Sequence, residues 1–170
     1  MSEAFTLYKL IVLYMMEKVD FALTNGQISE FILDKGYTTY FTLQQAISDM
    51  VEAGFIREES THNRTMYHLT EEGAETIHYF QSNISSAIRE DVDKFLEEKS
   101  YALRNEVAVK ADYYPNKAKE FTVRCRIDEG DTALIELSLS VPTEAAASSV
   151  VNNWNQKHQE IYAQIMASLL

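Results

Sequence analysis

The sequence predicts an α+β protein in which a mainly helical first half precedes a three-stranded antiparallel meander covered by a long C-terminal helix. Three observations lead to this fold class. Apolar residues recur at three- and four-residue steps through most of the first hundred residues. They then alternate with polar residues in three consecutive runs between Leu103 and Val141. After Pro142 the apolar residues return to helical spacing.

The composition is typical of a globular chain. Of its 170 residues 46% are hydrophobic and 24% charged, enough to bury one core or two small ones. The single cysteine, Cys125, excludes an intrachain disulfide framework and favours a reducing compartment. The apolar run Leu7–Met16 contains Lys9 and is too short to cross a bilayer. We therefore expect a cytoplasmic protein with two domains, residues 1–82 and 83–170, and no membrane segment.

The first two helices are marked by composition and by capping residues. Phe5–Lys18 is apolar nearly all round, which predicts a central core helix. Thr24 is expected to cap a second helix, whose apolar residues Ile28, Phe31 and Ile32 follow at helical spacing. Gly36 is expected to end it.

A third helix, two strands and a fourth helix follow. The third helix begins near Thr38 or Thr39, ends at Gly54, and carries an apolar stripe of Leu43, Ala46, Ile47 and Met50. The strands Phe55–Glu59 and Thr65–Leu69 flank the turn "STHNR". Thr70 is expected to cap a fourth helix that reaches about Lys99, with a break or kink near Ser82–Ser85.

Three alternating runs predict the meander. The apolar positions all have odd numbers, and the even positions carry charged or polar side chains, so one face of the sheet is expected to be wet. The odd positions are Leu103, Val107, Val109 and Ala111; Phe121, Val123, Cys125 and Ile127; and Ala133, Ile135, Leu137, Leu139 and Val141. Turns are predicted at "YYPNKAK" and "DEGD".

The last helix is predicted to start at Pro142 or Thr143 and to be longer than the sheet that it covers. At 1.5 Å per residue it extends about 40 Å, which exceeds the width of a three-stranded sheet. Part of its apolar stripe is therefore expected to lie in a homodimer interface, together with the long segment after Thr70. The predicted interface residues are Trp154, Ile161, Ile165 and Leu169.

The first half resembles a winged helix-turn-helix. "LQQAISDMVEAGFI" is similar to the end of that superfamily's recognition helix and the start of its wing, and "RTMYHLTEEG" resembles the wing's return strand and the Leu-Thr-x-x-Gly start of the next helix. These sequence patterns resemble those of bacterial multidrug-resistance and phenolic-acid-responsive repressors. The whole chain looks like an uncharacterised bacterial family of winged-helix transcriptional regulators.

The resemblance implies a homodimeric regulator that binds double-stranded DNA. The recognition helix, about residues 38–53, would lie in the major groove, and the wing, about residues 55–69, would contact phosphate or the minor groove. Carried over by position, the groove-facing residues are Tyr37, Thr38, Thr39, Tyr40, Thr42, Gln44, Gln45 and Ser48, and the wing offers His62, Asn63, Arg64 and Thr65. Glutamine can pair with adenine, and Ser and Thr can contact phosphate or base edges.

The charge of the first half argues against DNA binding. The chain has a net charge of −11, and residues 1–80 hold five basic against twelve acidic residues, whereas DNA-binding surfaces are usually basic. No Lys or Arg occurs between Thr38 and Phe55. The alternative is a winged-helix scaffold that binds protein and not DNA.

Other functions receive less support from the residues. A third alternative is a sensor role, with a small apolar pocket lined by Tyr101, Phe121 or Trp154, but no convergent polar set marks a ligand site and the sequence names no effector. The four histidines lack metal-ligand spacing, and the scattered glycines form no phosphate loop. The sequence therefore predicts no enzyme, no cofactor and no metal site.

Overall fold

The computed structural model describes residues 3–130 and 132–170, and it is a mixed α and β fold. Within those residues it contains two antiparallel three-stranded sheets and a long C-terminal helix. The second sheet and the C-terminal helix are as predicted, whereas the first sheet was expected to have two strands. The elements are α1 (Glu3–Glu17), β1 (Leu23–Thr24), α2 (Asn25–Asp34), α3 (Tyr40–Glu52), β2 (Ile56–Ser60), β3 (Thr65–Leu69), α4 (Glu71–Phe80), a 3-10 turn (Gln81–Asn83), α5 (Ser86–Ala108), β4 (Val109–Pro115), β5 (Phe121–Glu129), β6 (Thr132–Val141) and α6 (Glu144–Leu169).

Two compact units make up the chain. The first holds the described residues up to Ser60 and Arg64–Arg104, and the second holds Thr61–Asn63 and Asn105–Leu170. The first unit extends beyond residue 82, where the sequence suggested a boundary, because Val92, Leu96 and Leu103 of α5 are buried in its core.

The helices α2, α3 and α4 begin, and α2 and α3 end, at the predicted capping residues. Thr24 and Gln27 form a capping box at α2, with each side chain bonded to the other's backbone N–H. Thr39 caps α3 and Thr70 caps α4. Gly36 and Gly54 follow α2 and α3 with φ of 68° and 80°, a left-handed conformation in which glycine carries no Cβ penalty.

The first sheet has the strand order β1-β3-β2. The β2–β3 hairpin matches the two predicted strands to within a residue, and Ile56 lies opposite Leu69. The strand β1 was not predicted, because Leu23 and Thr24 are too few to show a period. It pairs Leu23 with Tyr67 and joins the start of α2 to the hairpin.

The helix α5 corrects one sequence prediction. Residues 103–108, assigned to the first strand of the meander, are helical, and β4 begins only at Val109. Leu103 and Val107 are four residues apart, a step that fits alternation and helical spacing equally well. The predicted break near Ser82–Ser85 is confirmed, since α4 ends at Phe80 and α5 begins at Ser86.

In the second unit α6 covers one face of the sheet β4-β5-β6. The odd positions Ala111, Val123 and Cys125 are buried on that face, as the alternation predicted, and they pack with Ala147, Val151 and Trp154 of α6. Of the predicted "DEGD" turn, Asp128 and Glu129 are the last residues of β5, Gly130 follows with a φ of 61°, and Asp131 lies outside the described residues. Among the helices of the described ranges, none combines the length and apolar character needed to span a membrane.

Candidate functional site

One face of α3 is exposed along its whole length. Phe41, Gln45, Ser48 and Glu52 follow one another at steps of four, three and four residues, and all are exposed, Phe41 to 83%. They lie on the side of the helix opposite the buried stripe of Leu43, Ala46, Ile47 and Met50. We call these four residues the α3 face. It presents an aromatic ring, an amide, a hydroxyl and a carboxylate, but no cation.

The start of α3 adds a second aromatic ring to this surface. Tyr40 is half exposed, and its ring lies edge-on to Phe41 with 5.9 Å between the ring centroids. Thr39 Oγ1 accepts a hydrogen bond from Thr42 N at 3.3 Å and donates one to Thr42 Oγ1 at 3.0 Å. Thr39 and Thr42 therefore serve first as the helix cap, and Thr38 precedes them half-buried in the turn.

Tyr37 is fixed to another helix. Its hydroxyl donates to Asp91 Oδ2 of α5 at 2.7 Å, and its ring packs edge-on against Phe31. Burial, followed by the Asp91 carboxylate, raises the pKa of Tyr37 to about 12. The same hydrogen bond, with Lys35 nearby, lowers the pKa of Asp91. Tyr37 thus holds the α2–α3 turn against α5.

The raised pKa of Tyr37, caused first by burial and then by Asp91, predicts a pH dependence of stability. The folded-state pKa of Tyr37 lies above its unfolded value of about 10, so its contribution is fully present below pH 10 and is lost as the pH rises towards 12. We expect Tyr37→Phe to lower the urea midpoint more at pH 8 than at pH 11. Equal losses at the two pH values would show that the bond to Asp91 contributes nothing to the alkaline transition.

The two adjacent glutamines of α3 have different surroundings. The Gln44 amide is paired at both ends with Asn25, accepting from Nδ2 at 2.7 Å and donating to Oδ1 at 2.9 Å. Asn25 also donates to Tyr67 Oη at 3.2 Å and accepts from Ser29 Oγ at 3.1 Å. Gln44 is therefore a half-buried bridge between α3 and the start of α2.

Gln45, in contrast, lies on the α3 face. Its Nε2 donates to Asp49 Oδ1 one turn later at 2.9 Å, and Asp49 is paired with Lys9 Nζ at 3.1 Å. The hydrogen bond from Gln45, and then the one from Lys9, lower the pKa of Asp49. The bond from Gln45 is on the surface, so a ligand can replace it at small cost.

The residues predicted for the wing are divided between the two units. Asn63, with Thr61 and His62, belongs to the second unit, where the His62 ring stacks on Tyr113 with 3.8 Å between centroids. His62 also bonds to Asp112 through its ring and, at 3.2 Å, through its backbone N–H. Arg64 and Thr65 lie in the first unit, half-buried, and Thr65 Oγ1 is 3.3 Å from Ser60 Oγ.

Two residues of this region were missed by the sequence reasoning. Phe41 was passed over, although its offset from the buried stripe of α3 indicates exposure. Arg57 is exposed on β2, opposite His68, and its position next to buried Ile56 in an alternating strand gives the same indication.

The residues predicted for a dimer interface differ in exposure. Trp154 is 2% exposed, and its Nε1 donates to the Arg126 carbonyl oxygen at 3.4 Å. It therefore has no surface left for a second subunit. Ile161 and Ile165 are half-buried, and Leu169 is 77% exposed near the end of α6.

The residues suggested for a sensor pocket, and the cysteine and possible metal ligands, have structural surroundings. Tyr101 is 80% exposed on α5, while Trp154 is part of a packed core with Phe121 at its margin. Burial raises the pKa of the Cys125 thiol to about 11, which makes it a poor nucleophile at neutral pH. Across the described residues, no three His, Cys, Asp or Glu side chains lie close enough together to hold a metal ion.

The fold and the α3 face together define a two-unit α+β protein whose helical unit presents an exposed helix face. Over residues 8–169 the chain matches the family described as a domain of unknown function, DUF4364, and it belongs to that family. Searches among curated proteins and among solved structures found no match.

Proposed function

We propose that the chain is a DNA-binding transcriptional regulator that acts as a homodimer, with the first unit as a winged helix-turn-helix. In this proposal α2, the turn at Gly36 and α3 are the helix-turn-helix, and the β2–β3 hairpin is the wing. The observation that carries the proposal is the α3 face, because a helix next to a hairpin that exposes an aromatic ring, an amide and a hydroxyl along one side is what a major-groove reader presents.

The chemistry of the α3 face suits bases better than phosphates. A Phe ring can contact the methyl group of thymine, a Gln amide can pair with adenine N6 and N7, and a Ser hydroxyl can bond to several base edges. Phe41, Gln45 and Ser48 provide these three groups in that order along the helix. Glu52, at the C-terminal end, faces a duplex poorly, which favours entry of α3 by its N-terminal end.

Phosphate contacts must come from the hairpin and from backbone groups. Arg57 on β2 and Arg64 at the start of the return strand are the cations of the β2–β3 region. The free N–H groups of a helix N-terminus also attract phosphate. With so few cations, binding to random DNA should be weak. A two-fold dimer would place two α3 helices about 34 Å apart, to match half-sites one helical turn apart.

Substitutions on the α3 face give the sharpest prediction for this function. We expect Gln45→Ala to cost about 1–3 kcal/mol on the best binding site, because a paired amide is lost. Phe41→Ala should also weaken binding to that site. Tyr101→Ala is the matched control, since Tyr101 is another exposed aromatic residue of the same unit but lies on α5. It should leave binding unchanged.

The experiment begins with selection of a binding site from random duplexes, followed by shift assays with competitor DNA at several salt concentrations. Arg57→Ala and Arg64→Ala should each lower the salt slope by about one and weaken all sequences alike. Failure to select any sequence, or selection of one that tolerates both Gln45→Ala and Phe41→Ala, would reject α3 as the reading helix.

A second candidate function is protein binding by the same surface. The observation that favours it is the exposed pair Tyr40 and Phe41 in a half with a net charge of −7, because exposed aromatic residues are enriched in protein interfaces and acidity repels DNA. In that case the shift assays would find no specific site. Phe41→Ala would instead abolish capture of a protein partner, and Tyr101→Ala would not.

A further inference from the structure

The strand β6 is an edge strand of the second sheet. The strand order β4-β5-β6 leaves one side of β6 without a partner strand within the described residues. Thr132–Val141 is the longest strand of the chain and contains no Lys, Arg or Pro. An edge strand of this kind presents unpaired backbone N–H and C=O groups and invites pairing with another strand.

The opposite edge of the same sheet is protected. The strand β4 is shorter, carries Lys110 and Asp112 and ends in Pro115, three features that discourage edge pairing. Asp112 is also bonded by the backbone and the ring of His62, so the segment Thr61–Asn63 packs at this strand. The β6 edge is longer, contains no Pro and has Glu136 as its one charged residue, so it is the less protected edge of this sheet and the one more open to a partner.

The charge of β6 fits a second copy of the same strand. Glu136 is the one charged residue of Thr132–Val141, and it is balanced from β5 by Arg124 at 3.2 Å and Arg126 at 3.7 Å. Leu139, in contrast, is 44% exposed and lies outside the second core. The strand is therefore apolar and balanced in charge, so two copies can approach despite the net charge of the chain.

The register of such a pair follows from the strand itself. Pairing with β5 is regular from Ile135 to Val141, and an irregularity separates this stretch from Ala133. A two-fold axis perpendicular to a sheet keeps each side chain on its own face, so residues that lie opposite each other must both be odd or both be even. Full overlap of Ile135–Val141 is then centred on Ser138.

We propose that β6 pairs antiparallel with β6 of a second copy, joining the two sheets into one six-stranded sheet with Ser138 opposite Ser138. This register sets Ile135 opposite Val141 and Leu137 opposite Leu139. Glu136 then faces Ser140 and not another Glu136, so the two carboxylates do not meet. The proposal deepens the proposed function and rests on its dimer, to which it assigns the interface.

Disulfide trapping tests the register. In Ser138→Cys the cysteines of the two copies would lie directly opposite each other. Their Cα atoms would be about 4.5–5.5 Å apart, a distance that a disulfide can span. Mild oxidation should then yield a covalent dimer that thiol reductant separates. The matched control is Ser140→Cys, whose two copies would lie four residues out of register, about 13 Å apart, and should stay uncrosslinked. The native Cys125 is buried and provides the background.

A second pair of variants separates the strand from the helix. Leu139→Lys places a charge on the pairing strand and should weaken dimerisation at least tenfold in sedimentation experiments. Leu169→Lys places the same charge at the exposed end of α6 and should leave dimerisation unchanged. Both are run without DNA, so that failure of the dimer is distinguished from failure of DNA binding.

Three outcomes would overturn β6 pairing. The first is a monomer at tens of micromolar, which would leave the edge open to a peptide from another protein. The second is a dimer lost in Leu169→Lys and kept in Leu139→Lys, which would assign the interface to α6. The third is equal crosslinking of Ser138→Cys and Ser140→Cys, which would indicate random collision.

Discussion

Replacing Gly73 by Ala is expected to destabilise the first unit by at least about 3 kcal/mol, at or above the upper end of the usual cost of overpacking. A Cβ on Gly73 would lie 2.0 Å from the Phe55 carbonyl oxygen and 2.8 Å from Leu69 Cδ1. The Phe55 carbonyl cannot retreat freely, because it accepts hydrogen bonds from Thr70 N at 3.2 Å and Thr70 Oγ1 at 2.9 Å. Urea unfolding followed by circular dichroism measures the loss.

Gly26→Ala is the matched control for Gly73→Ala. Gly26 is also helical and in the same unit, but the nearest atom to an added Cβ, Thr24 Oγ1, is 3.8 Å away. Alanine at an unstrained helical position should stabilise by about 0.5–1 kcal/mol. If Gly73→Ala were as stable as Gly26→Ala, the close approach of the Phe55 carbonyl oxygen would not limit the residue at this position.

The Gly73 contact also gives a physical meaning to the "LTEEG" stretch. Leu69 ends the hairpin, Thr70 caps α4 by accepting from Gly73 N at 3.1 Å, and Gly73 leaves room for the Phe55 carbonyl. This pattern therefore builds a junction between the end of α3, the hairpin and α4. It carries information about packing and none about a ligand, so it supports a fold more directly than a function.

Local chemistry made the caps of the first unit predictable. A threonine before an apolar helical stripe bonds to a backbone N–H three residues later, and Thr24, Thr39 and Thr70 all do so. Hydrophobic periodicity did not predict the secondary structure where the spacing fitted both a helix and a strand, or where the element was too short to show a period. Leu103 and Val107 fit both a strand and a helix, and the two residues of β1 fit neither.

The candidate site was harder to predict, because it depends on contacts distant in sequence. Gln44 and Gln45 are neighbours with the same side chain. Gln44 is withdrawn by its pairing with Asn25 of α2, whereas Gln45 is exposed on the α3 face. Tyr37 is likewise withdrawn by Asp91, which lies on α5. The position of Phe41, by contrast, could be predicted from the sequence. The regular spacing of a helix places Phe41 on the same face as Gln45 and Ser48.

Trp154→Ala is expected to destabilise the second unit by about 3–5 kcal/mol. The size of the loss shows how far α6 serves to cover its own sheet. The ring is 2% exposed, packs with Val123 and Val151, and donates to the Arg126 carbonyl oxygen. Thermal unfolding followed by circular dichroism should show the loss, with a smaller one in Trp154→Phe, which keeps an aromatic ring and removes the donor. Leu169→Ala should unfold like the parent protein, because Leu169 is 77% exposed. A Trp154→Ala protein that kept its stability and lost only its dimer would move this side chain from the core to the subunit interface.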